Sequence, residues 1–176
     1  MSKVLAVAYS YTGTSRCLAQ LLVAQQQWTL AEVREAHPRS GVSGTWRCLL
    51  DSIFSRCPEI RYDGPNPREF DAVVLVSPIW ASRLAGPMRS FVAVHRASLR
   101  DVAVISVKGG RGALNAVATE VSRLIGYPPL MNAAFTTREV EDGSCAGRLQ
   151  AFGKAVQEAR DSSLIVRPST WSPQAA

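Results

Sequence analysis

The chain is poor in the residues that carry metal and proton chemistry. It has two histidines and four cysteines in 176 residues. No two cysteines form a Cys-x-x-Cys pair. Neither His37 nor His95 lies close enough to Cys17, Cys48, Cys57 or Cys145 to suggest a zinc knuckle. A Cys-x5-Arg phosphatase loop is also missing. No apolar run reaches the ~18 residues that span a membrane. The start, Met1-Ser2-Lys3, enters a short apolar stretch without a signal-peptide core, which points to the cytoplasm. Net charge is +6, but the arginines are scattered from Arg16 to Arg167 with no basic run and no interleaved aromatics. That argues against nucleic-acid binding and leaves a basic face for an acidic partner or a phosphorylated ligand. With 47% hydrophobic and 19% charged residues the chain is globular, and its length sets one domain as the expectation.

What is present begins at Ser10-Tyr11-Thr12-Gly13-Thr14-Ser15-Arg16, directly after the apolar run Val4–Ala8. Leu18, Leu21 and Leu22 then recur at helical spacing. A strand, a hydroxyl-rich turn and a helix N-terminus make an anion site, because the first helical N–H groups lack intrahelical partners and the macrodipole is positive there. Gly13 permits positive φ and close approach of the backbone. Ser10, Thr12, Thr14 and Ser15 each bring an O–H donor. The same residues also suit an ordinary capped βα turn, although one cap needs one hydroxyl. The loop has no Walker lysine, and no Gly-x-Gly-x-x-Gly follows the first strand.

Apolar runs and helical patterns alternate along the rest of the chain. Residues 3–9 read as a strand, 14–27 as a helix, and Trp28–Val33 as an edge strand. A loop over 35–44 precedes a helical stripe of Trp46, Leu49, Leu50, Ile53 and Phe54. Pro58, Gly64, Pro65 and Pro67 argue against regular structure over 58–70. Phe70–Val76 reads as a strand buried on both faces. A helix opened by Gly86-Pro87 follows, with His95 on its apolar face, then a strand over Val102–Val107. A helix through Leu114, Val117, Val121 and Leu124 should stop near Gly126 and Pro128, before a last strand over Leu130–Phe135 and a final helix through Leu149, Phe152 and Val156. Residues 1–161 form the expected domain, and 162–176 an arm or tail. This alternation implies a parallel sheet with helices on both faces and a ligand at the C-terminal strand ends.

Three loops should meet there. The first runs from Ser10 to Ser15. The second is Ser77-Pro78-Ile79-Trp80-Ala81, whose indole either packs on the next helix or offers an aromatic wall to a flat ligand. The third is Ser106-Val107-Lys108-Gly109-Gly110, continuing into Arg111-Gly112, either a flexible turn or a loop that aims backbone N–H groups at a ligand edge. Together they suit a planar heteroaromatic phosphate.

In these motifs the chain resembles the flavodoxin family. Ser10, Thr12, Gly13 and Ser15 follow the family's Ser/Thr-x-Thr-Gly-x-Thr phosphate signature, with Ser replacing the last Thr. Ser77 to Ala81, followed by Gly86-Pro87-Met88-Arg89-Ser90-Phe91, is similar to its second flavin loop and helix start. The resemblance covers roughly residues 3–160. It implies a three-layer sandwich around a five-stranded parallel sheet of order 2-1-3-4-5, with FMN held by Ser10, Tyr11, Thr12, Gly13, Thr14, Ser15, Ser77 to Ala81 and Ser106 to Gly110. About 28 residues separate the starts of the last two strands, too few for the insertion of long-chain members. Electron-carrier flavodoxins are acidic and offer an acidic residue and a stacking Tyr in the third loop. This chain is basic and offers Lys108 and glycines, closer to flavodoxin-like reductases.

The resemblance therefore implies an FMN protein of electron transfer or a flavin-dependent oxidoreductase. Its partner would be a redox protein or a small-molecule acceptor, an acidic one suiting the charge. The alternatives are a flavodoxin-fold module that binds partners without redox activity, and a nucleotide- or phospho-sugar-binding enzyme. No catalytic side chain and no metal site stand out.

Overall fold

The structure, a computed structural model, describes residues 3–36, 57–109 and 114–165. The stripe from Trp46 to Phe54, together with His37, Cys48 and Gly110 to Gly112, lies outside the described residues.

Strand β1 (Val4–Ala8) is buried along its whole length. It leads through the Ser10–Gly13 turn into α1 (Thr14–Gln26) and then β2 (Thr29–Glu35). Strand β3 (Ile60–Asp63) precedes β4 (Ala72–Trp80), which turns back at once into β5 (Arg83–Leu84). Helix α2 (Gly86–His95), β6 (Asp101–Lys108), α3 (Leu114–Ile125), β7 (Met131–Thr136), α4 (Thr137–Glu141) and α5 (Ala146–Ile165) complete the order. Among the described residues no helix is long and apolar enough to cross a membrane. Helix α5 continues through Ile165.

Among the described residues the sheet has seven strands, in the order β3-β2-β1-β4-β6-β7 with β5 paired to β4. This corrects the expectation of a five-stranded, all-parallel sheet. The five parallel strands, counted by themselves, keep the order 2-1-3-4-5. β3 and β5 add antiparallel pairs at the margins. β3 also overturns the reading of 58–70 as irregular. Pro58, Pro65 and Pro67 bracket a four-residue window instead of interrupting it, so its backbone is free to pair with β2. Within β3, Ile60 and Tyr62 turn toward the core, while Arg61 and Asp63 face water. Charges on such an outer strand discourage pairing with another chain. A short 3-10 turn at Pro67–Glu69, capped by the Asn66 side chain, leads into β4.

Side-chain alternation divides the interior into two cores. On one face Leu5, Val73 and Val104 pack under Met88, Phe91 and Val121 of α2 and α3. On the other, Val74, Ile105 and Phe135 pack under Leu18, Leu22 and Leu149 of α1 and α5. The central strands are covered on both faces, which is why their sequences are continuous apolar runs. His95 keeps the packing role its position suggested. Its ring lies 4.7 Å from Phe91 and 5.2 Å from Tyr62, and burial lowers its pKa.

Candidate functional site

The strand order leaves β1, β4 and β6 as neighbours, so their C-terminal ends open onto one edge of the sheet. There a cavity of about 330 Å³ is lined by Tyr11, Thr12, Thr14 and Ser15 from the first loop, by Pro78, Ile79 and Trp80 from the end of β4, and by Val107 and Gly109 from the end of β6. Its size is that of a small-molecule site. The three loops singled out by sequence all reach it.

The first loop presents hydrogen-bond donors at the start of α1. Gly13 stands before α1 at φ 101°, a conformation that a side chain would strain. Having no side chain, Gly13 leaves the first amides of α1 without a side-chain cap, and no acidic residue lies in the first turn. Ser10 shapes the turn by accepting the Gly13 N–H on Oγ at 3.0 Å. The Thr12 and Thr14 hydroxyls lie 3.4 Å apart, and Ser15 is buried at the cavity edge. Uncapped helix amides and three hydroxyls form a neutral, donor-rich cradle, which fits a phosphate monoester.

The second loop differs from expectation. Ser77 to Trp80 belong to β4, which runs on past the expected end and closes a two-residue hairpin with β5 through Ala81 and Ser82. Both turn residues have positive φ, 50° and 61°. The hairpin leaves Trp80 half-buried beside the cavity. Its indole meets Tyr11 edge-on at 6.0 Å and Tyr9 at 6.4 Å. Trp80 thus packs against the core through one part and lines the cavity with another.

Not every residue proposed for the site lines this cavity. Ser10 lines a second one of about 450 Å³, shared with Tyr9, Tyr11, Arg16, Arg34 and Glu35. There Tyr9 donates from Oη to Glu35 at 2.7 Å, and Arg16 pairs with Glu32 at 2.8 Å. Ser77 and Ser106 are buried cross-strand neighbours on the α2–α3 side of the sheet. Ser77 donates to the Pro78 carbonyl, and the Ser106 hydroxyl is unpartnered. Ala81 is in the hairpin turn, and Lys108 ends β6 opposite Thr136. Gly110 lies outside the described residues.

Sequence reasoning missed Thr137, which lines the cavity from the start of α4. The signal was the Thr136-Thr137 pair where the last strand ends, since every parallel strand ends at the same edge. Thr136 is already committed, because it and Glu139 form a reciprocal capping box that also holds the Glu139 carboxyl below its ordinary pKa. Among the described residues no group of three or more His, Cys, Asp and Glu side chains is placed to hold a metal.

No family model matches the chain, and no curated protein matches it. Solved structures do. A flavoprotein from Lactobacillus acidophilus NCFM, determined in complex with FMN, superposes with TM-score 0.68 at 21% identity, covering 82% of this chain and 99% of that one. A WrbA-like flavodoxin from Agrobacterium tumefaciens gives TM-score 0.56 at 14% identity, covering 92% and 99%. A flavone reductase gives 0.52 at 13% identity, covering 92% of this chain and 64% of its own. At these identities the likeness is one of fold, and the fold is flavodoxin-like.

Proposed function

We propose that this chain binds FMN at the cavity at the ends of β1, β4 and β6 and works in electron transfer or as a flavin-dependent oxidoreductase. The observation that carries the reading is the pairing of an uncapped α1 N-terminus, set among Thr12, Thr14 and Ser15, with an aromatic wall of Trp80 and Tyr11 in one cavity. The first half suits the phosphate of FMN, and the second suits its flat ring. A structural neighbour solved with FMN supports the same ligand. Bound FMN would supply the redox chemistry. The chain's own work is to hold the phosphate with neutral donors, to exclude water from the ring with Pro78, Ile79 and Val107, and to offer polar contacts from Gly109 and Thr137. The net charge of +6 favours an acidic redox partner or an anionic small-molecule acceptor.

FMN titration of the apoprotein, followed by quenching of flavin fluorescence, tests the reading. Hydrogen bonds to a charged group contribute roughly 1.5–3 kcal/mol each. Replacing Thr12 and Ser15 together by Ala should therefore weaken FMN about 10²-fold or more. Equal affinity in wild type and double variant would remove the phosphate assignment. A wild type that binds no flavin would leave the fold serving as a partner-binding module.

A further inference from the structure

Arg89 and Glu120 form a buried ion pair away from the cavity. The Arg89 Nε lies 2.8 Å from Glu120 Oε1, and the residues are 2% and 7% exposed. Each of them also reaches Leu84 of β5. Glu120 Oε2 accepts the Leu84 N–H at 2.9 Å, and Arg89 donates through Nη2 to the Leu84 carbonyl at 2.8 Å. Two side chains from two helices thus hold both polar groups of one peptide segment.

The geometry of the hairpin explains why they are needed. In the β4–β5 hairpin Trp80 pairs with Arg83 next to the turn, and Ile79 with Leu84 one step further. Successive pairs in an antiparallel ladder alternate between hydrogen-bonded and non-hydrogen-bonded. The pair flanking a two-residue turn is bonded, so the N–H and C=O of Leu84 point away from β4. Leu84 is fully buried, and among the described residues no further strand borders β5. Arg89 and Glu120 stand where that strand would be. The hairpin also needs holding. Its turn places Ala81 and Ser82 in the left-handed region, a pattern that Asn-Gly adopts readily and that side chains such as these disfavour. Without an outside restraint, a two-residue strand closed by such a turn would be free to loosen.

We propose that Arg89 and Glu120 are positioning residues. They lock the strained hairpin against α2 and α3 and thereby fix the Trp80 ring at the cavity wall. The consequence for flavin rests on the proposed FMN reading, whereas the locking itself does not.

The experiment exploits a property of buried ion pairs. Replacing both partners by apolar residues of similar volume often leaves stability unchanged, whereas removing one partner is costly. The full chain carrying Arg89→Met with Glu120→Leu therefore tests positioning without leaving a buried charge unpaired, and Arg89→Met with Glu120→Gln, which is likewise uncharged and keeps one acceptor, serves if the first double variant does not fold. Two readouts need no flavin. One is hydrogen exchange at the Leu84 amide. The other is the fluorescence anisotropy of Trp80 in a Trp28→Phe, Trp46→Phe, Trp171→Phe background. The expected result is Leu84 exchange faster by about tenfold or more, with core amides unchanged, and a fall in Trp80 anisotropy. FMN affinity should fall by roughly tenfold. A folded variant with Leu84 exchange and Trp80 anisotropy as in wild type overturns the proposal. So does a uniform rise in exchange across all amides, which would make the pair a general stabiliser. Failure of the FMN reading appears separately, as a wild type that binds no flavin while the flavin-free readouts still decide the lock.

Discussion

Single residues at positive φ decide several local outcomes. Gly13 and Gly126 occupy such positions without strain, one opening α1 and the other following α3. Gln27 does not share that freedom. It ends α1 at φ 56° and is exposed, so its side chain contributes strain and little packing. A left-handed residue with a Cβ costs roughly 1–2 kcal/mol relative to glycine. Gln27→Gly should therefore stabilise the chain by about 1 kcal/mol and raise Tm by roughly 2–4 °C, read by thermal denaturation. Trp80 belongs to the same scale. Aromatic pairs add about 0.5–1.5 kcal/mol beyond their buried area. Trp80→Ala should weaken FMN about tenfold and remove most of the tryptophan quenching that FMN causes. If quenching persists in that variant, Trp80 is a packing residue and another tryptophan reports the flavin.

At the scale of elements, β3 shows how an outer strand is tied to the core. Tyr62 packs on Phe91 at 5.0 Å and donates its hydroxyl to the Pro65 carbonyl at 2.6 Å, pinning the turn that leaves the strand. Burial pushes its pKa from 10.0 to about 12. The folded chain thus prefers the neutral phenol more strongly than the unfolded chain does. The resulting stability is full below about pH 10 and is lost as pH rises from about 10 to about 12. Tyr62→Phe should lower stability at about pH 8 by roughly 1 kcal/mol, the cost of one hydrogen bond, yet flatten the alkaline loss. Urea unfolding at about pH 8 and about pH 11.5 measures both effects. Tyr127, whose pKa is raised by burial and by Asp101, and Cys145, whose thiol burial pushes up, should retain part of the alkaline loss. An alkaline slope identical in the variant would mean that Tyr62 does not titrate in that window.

For the whole molecule, the relevant linkage is between ligand and fold. The cavity is assembled from β1, β4, β6 and the start of α4, so a ligand that fills it binds only the folded chain. At a free concentration 100-fold above Kd such a ligand stabilises by about 2.7 kcal/mol. FMN should then raise Tm by roughly 5–10 °C in wild type, and by far less in the Thr12, Ser15 double variant. Riboflavin, which lacks the phosphate, should shift wild type little. An equal shift from both flavins would move the binding energy from the first loop to the ring.

Sequence alone determined the parts whose signals are local. Continuous apolar runs identified β1, β4 and β6, because a strand covered on both faces has no polar side to display. The Ser10–Ser15 turn was legible because a strand end, a glycine and four hydroxyls fall within a dozen residues. Tertiary structure decided the rest. β3 was hidden because prolines beside a short strand look like prolines within a loop, and only β2 supplies its hydrogen bonds. β5 has two residues and no periodicity, and it exists because β4 turns back on itself. Thr137 reaches the cavity only because five parallel strands end at one edge. Arg89 and Glu120 read as unrelated charges on two helices until the fold places 31 positions of sequence separation within 2.8 Å. Periodicity reports which face of an element is buried. Which distant residue meets it there depends on strand order and helix packing, and those are properties of the assembled chain.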